Sequence, residues 1–232
     1  MDVHIHSAIT ASWRKSGNAA AGGGTAAQSK RRSPVREENL KQAIFGLALA
    51  LFLTPALAGN YQPVDVTRLP EGKQTNLGLY LSAPEAFKMK SEGGAGVLFI
   101  DIRTKGEIQF VGAPTVIDQN IPFMEIDNPA RWDQRSNRYA MSLNPDFVGA
   151  VAALAARANL GKGDPIILMC RSGDRSARAV NVLQQAGYAK VYSVVDGFEG
   201  DVSPAGRREL NGWKNADLPW SYKISESQAY IR

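Results

Sequence analysis

This chain of 232 residues has a single cysteine, Cys170, and only two histidines, His4 and His6, both within the first ten residues. One cysteine allows no internal disulfide and no resolving thiol within the chain. With both histidines at the extreme N-terminus, no Cys–His catalytic pair and no zinc site of Cys and His are available in the folded region. The chain also lacks an apolar run long enough to span a bilayer. Its longest, Ala43–Leu53, has eleven residues, against the roughly twenty that a spanning helix needs. Net charge is a further shortage. Residues 1–42 carry seven Lys or Arg against three acids, which accounts for most of the formal +5 and leaves 20 basic and 19 acidic residues from Gly59 onward. A region so nearly neutral gives no reason to expect a nucleic-acid partner or an anionic membrane surface.

What the N-terminus does hold resembles an export signal. A basic Ala-, Gly- and Ser-rich stretch precedes the apolar run, and Thr54-Pro55-Ala56-Leu57-Ala58 follows it. A small-residue Ala-x-Ala site after a helix-breaking proline marks signal-peptidase cleavage. Residues 1–58 are therefore read as a leader with its apolar region at 43–53 and cleavage after Ala58, and the product as exported to a bacterial periplasm with no membrane span left. Arg31-Arg32 lies too far from the apolar run to fit a twin-arginine signal well, and the unusual leader length leaves room for a translation start inside it. The remaining 174 residues suffice for one domain with a sizeable core. They divide into an N-terminal extension (59–79), a folded domain (80–222) and a C-terminal tail (223–232).

Within the domain, helical and strand patterns alternate. Ser82-Ala83-Pro84-Glu85 is a capping box with an early proline. Val97–Ile100, Pro165–Met169 and Val191–Val195 are short, continuously apolar strands, and Asn120–Phe123 ends another. Asn144-Pro145 opens a helix with Phe147, Val148, Val151 and Leu154 on one face, and Arg175–Ala186 forms the next. Continuously apolar strands separated by helices predict an α/β fold, a parallel sheet covered by helices on both faces. Sites in such sheets collect at the C-terminal strand ends, where Asp101, Cys170 and Gly197 fall.

Cys170 opens the segment Cys170-Arg171-Ser172-Gly173-Asp174-Arg175-Ser176, directly after an apolar strand and before a helix. A loop so placed points backbone N–H groups and the positive helix end at the sulfur, which favours the thiolate over the thiol. Arg171 and Arg175 add cationic charge, and Gly173 gives the freedom that a tight turn needs. Cys170 is read as a nucleophile without a histidine base, acting on an anionic sulfur or phosphate substrate and requiring no metal or cofactor.

These segments resemble the rhodanese sulfurtransferases. Residues 170–176 are similar to that family's active-site loop, Asp101-Ile102-Arg103 to the element closing its early strand, and Asn120-Ile121-Pro122-Phe123 to its Asn-Ile-Pro segment. Asp196-Gly197-Phe198 resembles its late glycine pair, and Asn215–Pro219 the end of its domain. The sequence departs from the family at Gly112-Ala113-Pro114, which lacks a usual histidine, and at Asp196, where glycine is usual. Both bear on substrate preference. The resemblance implies a rhodanese-like fold and transfer of sulfane sulfur from thiosulfate or a related small anionic donor, through a Cys170 persulfide, to a thiol or cyanide. The loop 171–176 would bind substrate, with Arg171 and Arg175 on the donor's anionic end. Asp101, Arg103 and Gly197 would support the site, the first two either on substrate or as an ion pair holding the loops. Ser172 and Ser176 would each either donate to sulfur or cap the following helix, with the cap preferred for Ser176. Two alternatives stay open. Rhodanese-fold phosphatases and arsenate reductases place five residues between Cys and Arg where this chain has four, and a non-catalytic persulfide carrier would have the same loop. The insert 127–143 is read as a surface connection, with a docking surface or lid as the functional alternative. The oligomeric state is not legible.

Overall fold

The computed structural model describes residues 61–231; the leader expected at 1–58, with its cleavage point, lies outside the described residues. In chain order the elements are β1 (Tyr80–Leu81), α1 (Ala83–Gly93), β2 (Leu98–Asp101), α2 (Lys105–Val111), β3 (Ala113–Pro114), β4 (Gln119–Asn120), β5 (Met124–Glu125), β6 (Trp132–Asp133), β7 (Arg138–Tyr139), β8 (Ser142–Leu143), α3 (Phe147–Arg157), β9 (Ile166–Met169), α4 (Asp174–Gln185), β10 (Val191–Val194) and β11 (Trp220–Ser221). Five of these strands form one sheet in the order β1-β10-β9-β2-β4, and every neighbouring pair runs parallel.

The apolar strands are continuous in sequence because both their faces are covered. Leu98, Ile100, Ile166 and Leu168 face a cluster with Val151 and Leu154 of α3 and Val180 and Leu183 of α4. Phe99, Ile167, Met169 and Val194 face the other way, onto Ala83 and Ala86 of α1, Ile108 of α2 and the fully buried Trp213. Each such side chain contributes on the order of 1.5–3 kcal/mol by leaving water. Helices follow the capping box at Ser82 and the Asn144-Pro145 opening, and the one expected over 175–186 is present within a residue. The capping box of α1 forms, with Glu85 Oε2 accepting from the Ser82 N–H at 2.7 Å and Ser82 Oγ from the Glu85 N–H at 3.4 Å. Gly187, at φ 91°, follows the end of α4.

Both flanking segments pack on the domain. In the extension, Leu69 is buried, Lys73 Nζ meets Asp201 Oδ1 at 2.6 Å, and Tyr61 donates to Asp196 Oδ2 at 2.9 Å. In the tail, Gln228 donates to the Ile117 carbonyl at 2.9 Å and Tyr230 to Asp146 Oδ2 at 3.0 Å. No helix among the described residues is long and apolar enough to cross a membrane.

Candidate active site

β9 delivers Cys170 to the C-terminal edge of the sheet, and α4 starts four residues later at Asp174. Gly173 caps that helix at φ 101°, and a Cβ there would stand 2.3 Å from the Val195 carbonyl oxygen, so only glycine fits the turn. The turn aims the Gly173 N–H at Cys170 Sγ from 3.2 Å. Ser176 is not the helix cap. It lies in the first turn of α4, fully buried, with Oγ 3.7 Å from Sγ, donating to the Gly173 carbonyl at 2.8 Å and bonded to Ser193 Oγ at 2.9 Å. Gly173 is the cap because the helix starts at Asp174, which puts Ser176 inside its first turn. Ser172 Oγ turns away from sulfur to Asp174 Oδ2 at 3.2 Å.

The late loop locks this turn from behind. The Phe198 and Glu199 N–H groups donate to the Cys170 and Arg171 carbonyls at 2.9 and 3.0 Å. Gly197, at φ 62°, lies so close that a Cβ would approach the Cys170 and Arg171 backbone to 2.5–2.6 Å. Asp196 does not reach the sulfur. Its Oδ1 accepts from the Ala83 N–H at 2.8 Å, and its Oδ2 from Tyr61 and from the Gly212 N–H. Burial pushes its carboxyl up to about 6, against the opposing hydrogen bonds of Tyr61 and these amides.

Two ion pairs sit beneath the loop. Asp101 and Arg103 are both fully buried and face each other with contacts of 2.6–3.1 Å. Arg103 also donates to the Gly112 carbonyl at 2.7 Å and lies 3.9 Å above the Phe198 ring. Asn120 Nδ2 donates to the Asp101 and Arg103 carbonyls at 2.8 Å each. Of the two roles open to Asp101 and Arg103, this geometry is the ion pair that holds the loops. The second pair joins Arg175 to Glu107 through two parallel contacts of 2.6 and 2.8 Å. Burial alone raises a carboxyl, yet the hydrogen bonds and charge of Arg175 outweigh it and hold Glu107 down at about 2. Burial also works against the Arg175 cation, and Glu107, helped by Cys170 and Asp101, raises it above its ordinary value.

A rhodanese-like domain model matches residues 83–203, more than half of the chain. The chain belongs to the rhodanese-like family. It is 35% identical over 106 residues to thiosulfate sulfurtransferase 16, chloroplastic, of Arabidopsis thaliana, covering 45% of this chain and 72% of that one. It is 32% identical over 124 residues to an uncharacterized protein of Rickettsia conorii, covering 53% of this chain and 81% of that one. Among solved structures, one of an M. tuberculosis protein aligns with a TM-score of 0.46 at 26% identity, over 62% of this chain and 97% of that one.

Cys170 forms the floor of a cavity of about 350 Å³ lined by Met124, Arg138, Met141, Arg171, Ser172, Asp174, Arg175 and Arg178. Four of these lie outside the residues expected from sequence. Arg178 is two residues beyond Ser176 on α4. Met124 precedes the insert, and Arg138 and Met141 belong to it. The insert is thus more than a surface connection. Its β6–β7 hairpin, flanked by the β5–β8 pair, forms one wall over the sulfur. Of the two arginines expected on the donor, Arg175 is engaged by Glu107, while Arg171 has no ion-pair partner among the described residues and a buried, unbonded Nε. Glu107 had a sequence signal of its own: Thr104-x-x-Glu107 is a capping box, and it starts α2.

Proposed function

We propose that the protein is a sulfurtransferase in which Cys170 carries sulfur as a persulfide between a small anionic donor such as thiosulfate and a thiol or cyanide acceptor. The observation that carries this reading is the 3.2 Å approach of the Gly173 N–H to Sγ at the floor of an arginine-lined cavity. The Cys170 thiolate attacks the outer sulfur of thiosulfate. A new S–S bond forms as the S–SO₃ bond breaks, and its electron pair leaves on sulfite. The persulfide's terminal negative charge lies against the donors of the turn, as an anion does in a backbone nest. The acceptor thiolate then attacks the outer sulfur, and the electron pair of the breaking bond returns to Cys170. No external oxidant or reductant is required. Arg171 draws the donor's anionic end, while Arg175 acts through its bridge to Glu107 by fixing the loop.

Four residues between Cys170 and Arg175 make a turn sized for a single sulfur better than for a tetrahedral oxyanion. The test is to incubate the purified protein with thiosulfate and read its intact mass, alone and with cyanide. One added sulfur atom, discharged by cyanide and absent from Cys170→Ser, is the expected result. Aryl phosphate hydrolysis without sulfur uptake would replace this reading with the phosphatase one. Uptake without turnover would leave only a carrier. The protein is exported to the periplasm and begins at Gly59, a reading supported by Ala43–Leu53 and the following Ala56-Leu57-Ala58. N-terminal sequencing from the native host checks it, and a soluble cytoplasmic form retaining residues 43–58 would overturn it.

A further inference from the structure

The Gly173 N–H that meets Sγ at 3.2 Å belongs to the residue type least able to hold its own conformation. Glycine alone fits at φ 101°, but glycine is also free to leave it, so neighbours must impose the aim of that N–H. The Gly173 carbonyl is fixed within α4, where the Ala177 N–H and Ser176 Oγ donate to it at 3.0 and 2.8 Å. Its other side is closed by a segment that lies outside the rhodanese-like match at 83–203. In the N-terminal extension, a single 3₁₀ turn, Glu71–Lys73, packs on α4. A Cβ on Gly173 would stand 3.1 Å from Lys73 Cδ, on the same face that meets the Val195 carbonyl oxygen, and one on Gly72 would stand 3.4 Å from Asp174 Oδ1. The Lys73 stem thus backs the cysteine turn.

Lys73 is only 6% exposed, a rare place for a lysine. Its Nζ meets Asp201 Oδ1 at 2.6 Å, and Asp201 is held in turn by Asn211, which accepts from its N–H at 2.8 Å and donates to Oδ2 at 3.2 Å. A buried ammonium persists only with such a partner. The pair anchors the tip of the side chain, which leaves the apolar stem to lie against Gly173. The extension is fastened at other points as well: Tyr61 to Asp196, the Gln62 N–H to the Leu210 carbonyl at 2.7 Å, and the Asn76 N–H to Asn181 Oδ1 of α4 at 2.9 Å.

We infer that Lys73 is a positioning residue for Cys170, its stem keeping the Gly173 N–H aimed at the sulfur. This rests on the sulfurtransferase reading for its kinetic test, and on the geometry of the turn alone for its spectroscopic one. When Cys170 takes up a sulfur atom, negative charge passes to the outer sulfur, and a donor fixed beforehand needs no reorganisation at that moment. Lys73 does not line the cavity over Cys170 and acts only through Gly173.

The experiment follows single-turnover loading of the purified protein by thiosulfate, read by intact mass, beside the Gly173 amide resonance of 15N-glycine-labelled protein. In Lys73→Ala, which removes the stem, the loading rate at saturation falls about tenfold, the equivalent of one hydrogen bond to a charged group. The half-saturating thiosulfate concentration stays within about twofold, because Lys73 does not meet the donor. The Gly173 resonance shifts or broadens before any sulfur is added. Loss of folded protein would instead lower the fraction that loads and leave the rate of the remainder unchanged. Lys73→Met keeps the stem and lets the partly exposed Asp201 return to water, so it loads within about twofold of the unsubstituted rate, with the resonance in place. Arg68→Ala, at an exposed position of the same extension, changes neither readout. Should Lys73→Ala fail to fold, Lys73→Val, which also ends short of Cδ, carries the same expectation. An unchanged rate or an unmoved resonance in the variant without the stem, or a Lys73→Met as slow as that variant, would overturn the inference. Failure of the unsubstituted protein to load sulfur would overturn the function instead and leave the resonance to decide the role of Lys73.

Discussion

The floor of the site and the hairpin above it are built on opposite terms. The floor's polar groups are buried and, apart from Arg103 Nη1 and Arg171 Nε, committed: Asp101 to Arg103, Glu107 to Arg175, Ser176 to Ser193, with the late loop hydrogen-bonded to the carbonyls of the cysteine turn. The hairpin satisfies itself. Trp132 and Tyr139 stack edge-to-face at 5.4 Å while each stays about half exposed, and Asp133 bonds within its own turn. A buried polar network is costly to leave half-satisfied, so the floor tolerates little change. Substitutions in an exposed loop that bonds mostly to itself stay local. The division of labour follows: the floor fixes where the sulfur sits, and the hairpin decides what meets it.

The sharpest way to break this contrast is at the floor. Arg103→Ala leaves the Asp101 carboxylate buried and unpaired, and a loss of about 3–5 kcal/mol is expected from urea unfolding. A loss near zero would mean that water replaces the guanidinium and that the floor is no network. Titration gives the next largest effect. Asp196 stands near 6 in the folded protein, above its ordinary 3.8. Its contribution is therefore fully present below pH 3.8 and is lost as pH rises through 6, a change of roughly 3 kcal/mol at most. Glu107, held near 2 from an ordinary 4.5, works in the other direction. Its contribution is present above pH 4.5 and is lost as pH falls toward 2. Stability curves of the protein and Asp196→Asn should diverge between pH 4 and 6, and parallel curves would deny the burial of that charge. Arg175→Ala, which strands the largely buried Glu107, is expected to cost about 1–3 kcal/mol and to lower the use of thiosulfate. Smallest of all, Trp132→Ala in the hairpin should move stability by no more than about 0.5 kcal/mol. A cost as large as that of Arg175→Ala would make the hairpin part of the core.

The sequence made one side of this contrast legible and largely hid the other. The cysteine turn is a contiguous run after an apolar strand, and the strands are continuous because both faces are covered, so the sheet and the nucleophile are visible in one dimension. The pairing of Glu107 with Arg175 is hidden because the two stand 68 residues apart. Arg138 and Met141 are hidden because a polar stretch such as 127–143 has the same composition whether it shields a site or only bridges two elements. Asp196 departs from glycine beside the site, which suggested substrate preference. The structure instead turns its carboxylate to Tyr61, Ala83 and Gly212, contacts that require the folded positions of three distant segments.

The strand order also bears on when the molecule takes shape. Within the sheet β1 has a single neighbour, β10, and Tyr80 lies opposite Ser193. As the chain emerges during synthesis, that edge of the sheet has nothing to pair with until more than a hundred further residues are made. The Tyr61–Asp196 bond spans a still longer stretch, 135 residues. Only β2 and β4, about twenty residues apart, can meet early. Closure over such separations is slow, so the nascent chain stays open and threadable for longer than a domain of local contacts would.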